Sequence, residues 1–148
     1  MPIRQKPPAL AVSRTTRRKK NLVAEIMLSP FQWDSTPPGY LNSSKNTARV
    51  IREAPLLLLV CREPDEDWLI NDLVSIGAAV EHICLEAVNL GLGSLWIRDT
   101  AYTEQEILSR LAVPRMELVS AIAVGYPDEA PFPRPRKPLA ELTLTPTE

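Results

Sequence analysis

The stretch ICLEAVNLGLGSLWIRD, residues 83–99, decides the fold, because a helical pattern ends there and a strand begins. Upstream of it, apolar residues recur at intervals of three and four, which predicts an amphipathic helix from Asp72 to Leu90. Gly91 stands where the stripe ends, the usual position of a C′ glycine in the left-handed conformation. Gly93 opens the predicted strand SLWIR, where a glycine marks a tight bend or the close approach of another group.

A Gly-x-Gly sequence also suggests a dinucleotide-binding loop, but the order of the elements excludes one. That loop needs a strand, then glycines, then a helix whose N-terminus faces the phosphate. Here the helix comes first, and its C-terminus at Gly91 carries the negative end of the macrodipole. The junction instead offers the backbone N–H groups of Leu92, Gly93 and Ser94, which suit a flat ring with carbonyl and nitrogen acceptors. A purely structural turn is the alternative interpretation.

The segments around this junction predict an α+β pattern. Helical spacing of apolar residues is seen in RRKKNLVAEIML, residues 17–28. Uninterrupted apolar runs at Leu56–Cys61 and Leu118–Tyr126 predict two buried strands.

Two further short helices are predicted from their capping residues. Ser43 or Ser44 is the predicted N-cap of a helix over residues 46–53. Thr103 with Glu106 predicts a capping box at the start of the second helix.

Composition indicates an ordinary globular domain and excludes several classes of function. The chain has 148 residues, 45% of them hydrophobic and 24% charged, and a net charge of −1. Such a charge opposes a general nucleic-acid partner. The longest unbroken apolar run, Leu56–Cys61, is far below the roughly 20 residues that span a bilayer, so we predict no integral membrane segment.

No residue pattern predicts a metal site or a side-chain acid–base pair. Cys61 and Cys84 are far apart and have no neighbouring ligand, so we interpret them as free thiols in a reducing compartment. His82 is the only histidine, and we interpret it as structural or surface-exposed.

The two ends of the chain differ from its middle. Residues 1–20, MPIRQKPPALAVSRTTRRKK, are basic without an acidic residue and predict a disordered tail, leaving residues 21–148 as a single domain. Prolines oppose the alternative of an amphipathic targeting peptide. A basic arm that binds anionic partners is a weaker alternative. The C-terminal stretch is rich in proline, with possible strand character from Leu142 to Thr145.

Four segments, in order, resemble the nitroreductase family of flavin enzymes. They are EAPLLLLV, NLGLGSLWI, VGYP and RPRKPL, and they span roughly Thr47 to Leu142. The resemblance implies an α+β fold with a small, mostly antiparallel sheet flanked by helices. It also implies an intertwined homodimer in which the C-terminal LTLT adds an edge strand to the partner.

The same resemblance implies FMN as the cofactor. The residues that it places near the isoalloxazine ring are Gly91, Leu92, Gly93 and Ser94, and those that it places on the phosphate are Arg134, Arg136 and Lys137. Arginine suits this task because its planar fork binds phosphate oxygens in pairs. The implied activity passes electrons from NAD(P)H through flavin to a nitroaromatic, quinone or similar acceptor, in the cytoplasm.

The sequence differs from the family pattern at the N-terminus. An Arg-Arg-Ser-type segment and an Asn-x-Gln-Pro-Trp-like segment normally open the family; here Arg17 and Arg18 are followed by Lys19. We therefore predict a truncated start, with one strand missing and an unpaired sheet edge. This departure supports an alternative function, a non-catalytic dimeric remnant that no longer binds flavin.

Overall fold

A computed structural model describes residues 10–33, 39, 42–130 and 132–143. Its centre is a four-stranded, fully antiparallel sheet with strand order β1-β2-β4-β3. The strands are β1 (Leu10–Arg14), β2 (Leu56–Arg62), β3 (Gly93–Ile97) and β4 (Glu117–Gly125). The predicted α+β class and the small antiparallel sheet are confirmed.

Helices occupy most of the remaining described chain. They are α1 (Arg17–Leu28), α2 (Pro30–Trp33), α3 (Asn42–Glu53), α4 (Leu69–Asn89), α5 (Glu104–Arg110) and α6 (Leu139–Leu142). Short 3₁₀ turns at Glu66–Trp68 and Asp99–Thr103 lead into α4 and α5. The long helix predicted from Asp72 to Leu90 therefore begins three residues earlier and ends at Asn89.

The two faces of the sheet are covered by different helices. On one face, residues of β2 and β4 pack with α1, α3 and α5 in the larger apolar cluster, which includes Leu57 and Ala123. On the other face, the alternate residues pack with α4, as Val60 and Val124 do. Both strands are central in the sheet, which explains why the sequence of β2 is apolar at nearly every position.

A buried arginine ties α4 to the sheet. Arg62, at the end of β2, is only 1% exposed. Its Nε lies 2.6 Å from Glu117 Oε2, its Nη1 lies 3.4 Å from Asp72 Oδ2, and Nη1 also donates to the Asp65 carbonyl at 3.3 Å. A buried charge is tolerated only when it is paired and hydrogen-bonded. These contacts fix the first turn of α4 against β2 and β4.

The predicted boundary of the N-terminal tail is wrong. Residues 10–14 form β1, which pairs with β2 in the register Leu10↔Arg62 to Arg14↔Leu58. Helix α1 begins at Arg17, where the Thr16 side chain accepts from the Lys19 N–H. We expected a missing strand to leave a sheet edge unpaired; instead, β1 covers the outer edge of β2. Residues 1–9 lie outside the described part of the chain.

Of the two predicted N-caps, the one at Ser43 or Ser44 is wrong, and the one at Thr103 is right in position but lacks the capping hydrogen bond. Helix α3 begins at Asn42, so Ser43 and Ser44 lie inside its first turn. The Ser43 hydroxyl instead donates to Asp99 Oδ2 at 2.8 Å, which joins α3 to the turn after β3. Thr103 precedes α5 as predicted, but its side chain makes no capping hydrogen bond. At α3, a tertiary contact of Ser43 thus takes the place of the predicted local cap.

At the C-terminus, Leu142 ends the short helix α6 and does not begin a strand. Residues 144–148, which carry the rest of the predicted edge strand, lie outside the described residues.

By length and composition, the segment Glu66–Asn89 is the one helix in the described ranges that could cross a membrane. Polar residues such as Asn71 and Asp72 interrupt its apolar residues, so it contains no long unbroken apolar run. One side of α4 packs on the sheet through Ile76 and Val80, and the other side exposes Ile70 and Val74. Core helices of globular proteins pass the same test of length and composition.

Candidate functional site

The end of α4 forms a Schellman motif, as the sequence predicted. Gly91 has a φ of 71°, in the left-handed region. Its N–H donates to the Val88 carbonyl at 3.0 Å, and the N–H of Leu92 donates to the Ala87 carbonyl at 2.8 Å. These are the two hydrogen bonds that define this helix end. The prediction that Gly91 terminates the helix is confirmed.

This motif reduces what the junction offers to a ligand. The Leu92 N–H, which we expected to face a flat ring, is already used by the helix carbonyl. Gly93 and Ser94 are half-buried and are the first two residues of β3. β3 lies at the edge of the sheet and pairs with β4 on one side only within the described chain. The amides that point away from β4 are therefore the ones a ligand could reach.

Close packing explains why residue 93 is a glycine. A Cβ added at this position would lie 3.3 Å from Pro127 Cβ, tighter than an ordinary van der Waals contact. Gly93 pairs with Gly125 across the β3–β4 ladder, and a Cβ added at Gly125 would lie only 2.6 Å from Pro55 Cδ. The predicted close approach to Gly93 is thus confirmed, and a proline of the same chain makes it.

An open apolar groove of about 390 Å³ lies beside this junction, between α4 and the sheet. Its floor is formed by Leu56, Leu58 and Val124, and its wall by the last two turns of α4 together with Leu90 and Leu92. Leu90 and Leu92 flank Gly91, so the groove and the junction form one continuous surface. Ser94 pairs with Val124 and so stands next to the groove floor, on the same face of the sheet.

Two polar side chains, His82 and Glu86, also line the groove. His82 is exposed, and its Nδ1 lies 2.7 Å from the Ala78 carbonyl of its own helix. The predicted role of His82 as a structural or surface residue agrees with this contact. Among the described residues, the groove thus offers mainly apolar contact area.

The three predicted phosphate-binding cations lie on the segment that follows β4. Arg134, Arg136 and Lys137 are all exposed on a stretch without regular secondary structure. Within the described residues they do not line the groove, and Arg136 Nη1 makes a long contact of 3.5 Å to the Arg134 carbonyl. The segment begins at Pro127, the residue that covers Gly93. The predicted ring-contacting residues and the predicted phosphate-binding cations are therefore linked through the main chain. Among the described residues, no side-chain contact joins them.

Two buried titratable groups lie outside this surface. Burial, and secondarily the charge of Glu104, raises the pKa of the Cys61 thiol from 9.0 to about 11. Burial, and secondarily Arg17, lowers the pKa of Lys20, whose amine donates to the Ala54 carbonyl. Both cysteines are free. In the described ranges no group of three or more histidine, cysteine or acidic residues could hold a metal ion.

Sequence reasoning missed three features around the site. The proline covers of Gly93 and Gly125 have no local signal, because Pro127 and Pro55 lie far from these glycines in the sequence. The buried position of Arg62 and the groove have no local sequence pattern, because both depend on residues far apart in the chain.

The comparison with family models matches residues 3–126 to the nitroreductase family. The match begins well before Thr47, where we placed the start of the resemblance, and it includes β1 and α1. It covers most of the chain and therefore shows the family.

Solved structures with a similar fold include three flavin-related proteins. A BluB-like flavoprotein from Clostridium difficile 630 has a TM-score of 0.70 and 19% identity, over 94% of this chain and 80% of its own. A protein from Desulfovibrio desulfuricans, described as a nitroreductase in complex with FMN, has a TM-score of 0.67 and 24% identity over 94% and 73%. An NADPH:FMN oxidoreductase from Vibrio harveyi, complexed with NAD+, has a TM-score of 0.68 and 18% identity over 93% and 58%. At these identities the likeness concerns the fold.

Proposed function

The chain belongs to the nitroreductase family, and on that premise we propose that it is an FMN-dependent oxidoreductase. The observation that carries the proposal is the glycine junction at the end of α4, which opens directly onto an apolar groove. The similar structure described as a complex with FMN supports the choice of flavin.

The groove and the junction fit the ring system of a flavin. Ligand pockets have volumes of about 300–1,000 Å³ and are mostly apolar with a few polar groups; this groove, at about 390 Å³, is in that range. The anionic tail needs cations, and no cationic side chain lines the groove within the described chain. The exposed Arg134, Arg136 and Lys137 are the nearest such group along the sequence after Pro127.

The residues of the chain would bind and orient the cofactor. When bound, FMN supplies the hydride and electron transfer chemistry. The side chain of Leu92 would contact the ring. Of the Gly93 and Ser94 amides, the one that faces away from β4 would donate to an acceptor of the ring. Arg134 and Arg136 would bind the phosphate in pairs of hydrogen bonds. This division of roles requires no side chain as a general acid or base.

We propose NAD(P)H as the electron donor and a nitroaromatic, quinone or similar small molecule as the acceptor. The similar NADPH:FMN oxidoreductase, whose structure contains NAD+, supports a nicotinamide donor. A cytoplasmic location remains a prediction, consistent with two free thiols.

We propose that the functional form is a homodimer, because α4 exposes an apolar stripe. Ile70, Val74, Leu85 and Val88 lie at intervals close to multiples of a helical turn and are between 58% and 76% exposed. Gly77 lies within this stripe, and a Cβ added there would meet nothing within 4 Å. Exposed apolar side chains grouped on one helix face, here interrupted by Glu81, are typical of a protein–protein interface.

A second candidate function, a cofactor-free dimeric remnant, is favoured by two observations. The Leu92 amide is used by the helix, and Gly93 is explained by its contact with Pro127. The glycine junction could therefore be entirely structural.

Titration of the purified protein with FMN, followed by flavin fluorescence and by light scattering for the mass, separates the two candidates. We expect saturable binding that weakens about tenfold in the double variant Arg134→Gln/Arg136→Gln, because charge-assisted hydrogen bonds are lost. Arg115→Gln, at an exposed arginine before β4, is the matched control and should bind as the wild type does. A dimer that leaves FMN unbound would establish the remnant and overturn the enzyme.

A further inference from the structure

The groove beside the end of α4 carries one carboxylate, and within the described residues no lysine or arginine lines it. The carboxylate is that of Glu86, whose Oε2 accepts from Asn89 Nδ2 at 3.3 Å. An amide carries no charge, so this contact leaves the negative charge of Glu86 in place. His82, the other polar residue of the groove, has its Nδ1 at 2.7 Å from the Ala78 carbonyl, so that nitrogen is not available to Glu86.

Glu86 lies at the rim of the groove. Ala87 and Val124 lie at its bottom, since they are only 5% and 7% exposed, whereas Glu86 is exposed to solvent. Glu86 is also one helical turn from Leu90, about 6 Å along α4 at roughly 1.5 Å per residue. A flavin ring that lies on the floor of the groove and against Leu92 leaves the open side of the groove to an electron acceptor. An acceptor that stacks on the ring must therefore pass close to Glu86.

We propose that Glu86 selects the electron acceptor by charge, so that the groove favours neutral aromatic acceptors over anionic ones. This inference rests on the proposed function. A carboxylate at the edge of a concave apolar surface repels a second anion more strongly than it would in bulk water, because the walls of the groove have a low dielectric constant. Since Glu86 is exposed, water and salt weaken the repulsion, and we expect a difference in affinity of about fivefold.

The test compares Glu86→Gln with Glu106→Gln. Both remove one negative charge from an exposed helix position, but Glu106 is on α5, which packs on the opposite face of the sheet. The probes are 4-nitrobenzamide, which is neutral, and 4-nitrobenzoate, which has the same shape and one negative charge. The first measurement is the Kd of each probe by ligand-observed NMR without NADPH, for the protein with and without FMN. The second is kcat/KM for each probe, in a reaction in which NADPH and one proton convert the nitro group to a nitroso group and release NADP+ and water.

We expect the wild type to bind 4-nitrobenzamide about fivefold more tightly than 4-nitrobenzoate, and the ratio of their kcat/KM values to differ in the same direction. Glu86→Gln should remove most of this preference by binding 4-nitrobenzoate more tightly, and Glu106→Gln should retain it. A preference that survives in Glu86→Gln, or that Glu106→Gln removes equally, overturns the inference, as does binding of neither probe. If the wild-type protein leaves FMN unbound, the proposed function fails. The Kd values of the flavin-free protein then decide whether the groove selects by charge: a preference that only Glu86→Gln removes supports selection, and any other pattern overturns it.

Discussion

Exchanging glycine and alanine between the ends of α4 and α5 should change stability in opposite directions. Gly91 and Ala112 both occupy the left-handed region, with φ values of 71° and 61°. Both helix ends form the same pair of hydrogen bonds: the Ala112 N–H donates to the Ser109 carbonyl at 3.1 Å, and the Val113 N–H donates to the Leu108 carbonyl at 3.0 Å. The end of α4 thus carries glycine, which suits the left-handed conformation, whereas the end of α5 carries alanine, which does not.

The expected change is about 1 kcal/mol at each position. The left-handed conformation costs a residue with a Cβ about 1–2 kcal/mol, and alanine recovers about 0.4–1 kcal/mol by restricting the unfolded chain. A Cβ added at Gly91 would meet no atom within 4 Å, so steric contact adds nothing. Gly91→Ala should therefore lose about 1 kcal/mol and Ala112→Gly should gain about as much, with the double variant near the wild type.

Urea unfolding of the flavin-free protein measures these differences, and the thermal midpoint should move by about 2–4 °C for each. Gly91→Asn is a useful intermediate, because asparagine tolerates the left-handed region better than alanine does. If both exchanges shift stability in the same direction, backbone conformation is not the cause of the effect and the reasoning is refuted.

Three further predictions concern burial and association. Arg62→Ala should lower the unfolding free energy by about 3–5 kcal/mol in urea, because it removes the buried cation that pairs with Asp72 and Glu117. Arg49→Ala, in an exposed ion pair, should lose less than about 1 kcal/mol, and equal losses would contradict the argument. Val74→Glu should convert the dimer to a monomer in light scattering, and an unchanged mass would place the interface elsewhere. A thiol reagent at neutral pH should label Cys84 well before Cys61. Because burial raises the folded-state pKa of Cys61 from 9.0 to about 11, stability should fall as the pH rises through that range, and the fall should be smaller in Cys61→Ala.

Elements with a clear pattern of apolar residues, or with a glycine at a helix end, were predictable from the sequence. The stripe of α4, the apolar runs of β2 and β4, and the left-handed glycine at position 91 follow from local physics and are confirmed. The N-terminal strand was missed, because its few residues, LAVSR, lie in a basic, proline-rich context that resembles a tail. Its pairing with β2 depends on a partner more than forty positions away in the sequence, which no local pattern reveals.

The candidate site was predictable only in part. The sequence identified the glycine junction but not the use of the Leu92 amide, because that depends on the geometry of the helix end. It also identified a close approach at Gly93 without indicating that Pro127 makes it. The groove joins residues of β2, α4 and β4, and such a surface appears only once the chain is folded.

The unequal covering of the sheet has a thermodynamic consequence. In the described part of the chain, three helices protect one face of the sheet, while α4 alone covers the other face and leaves Leu56 and Leu58 only half-buried. Apolar surface that stays in contact with water in the monomer adds nothing to the free energy of unfolding. It stabilises the protein only when a second surface covers it and excludes the water. Folding and assembly of this protein should therefore be linked, so that its melting temperature rises with protein concentration.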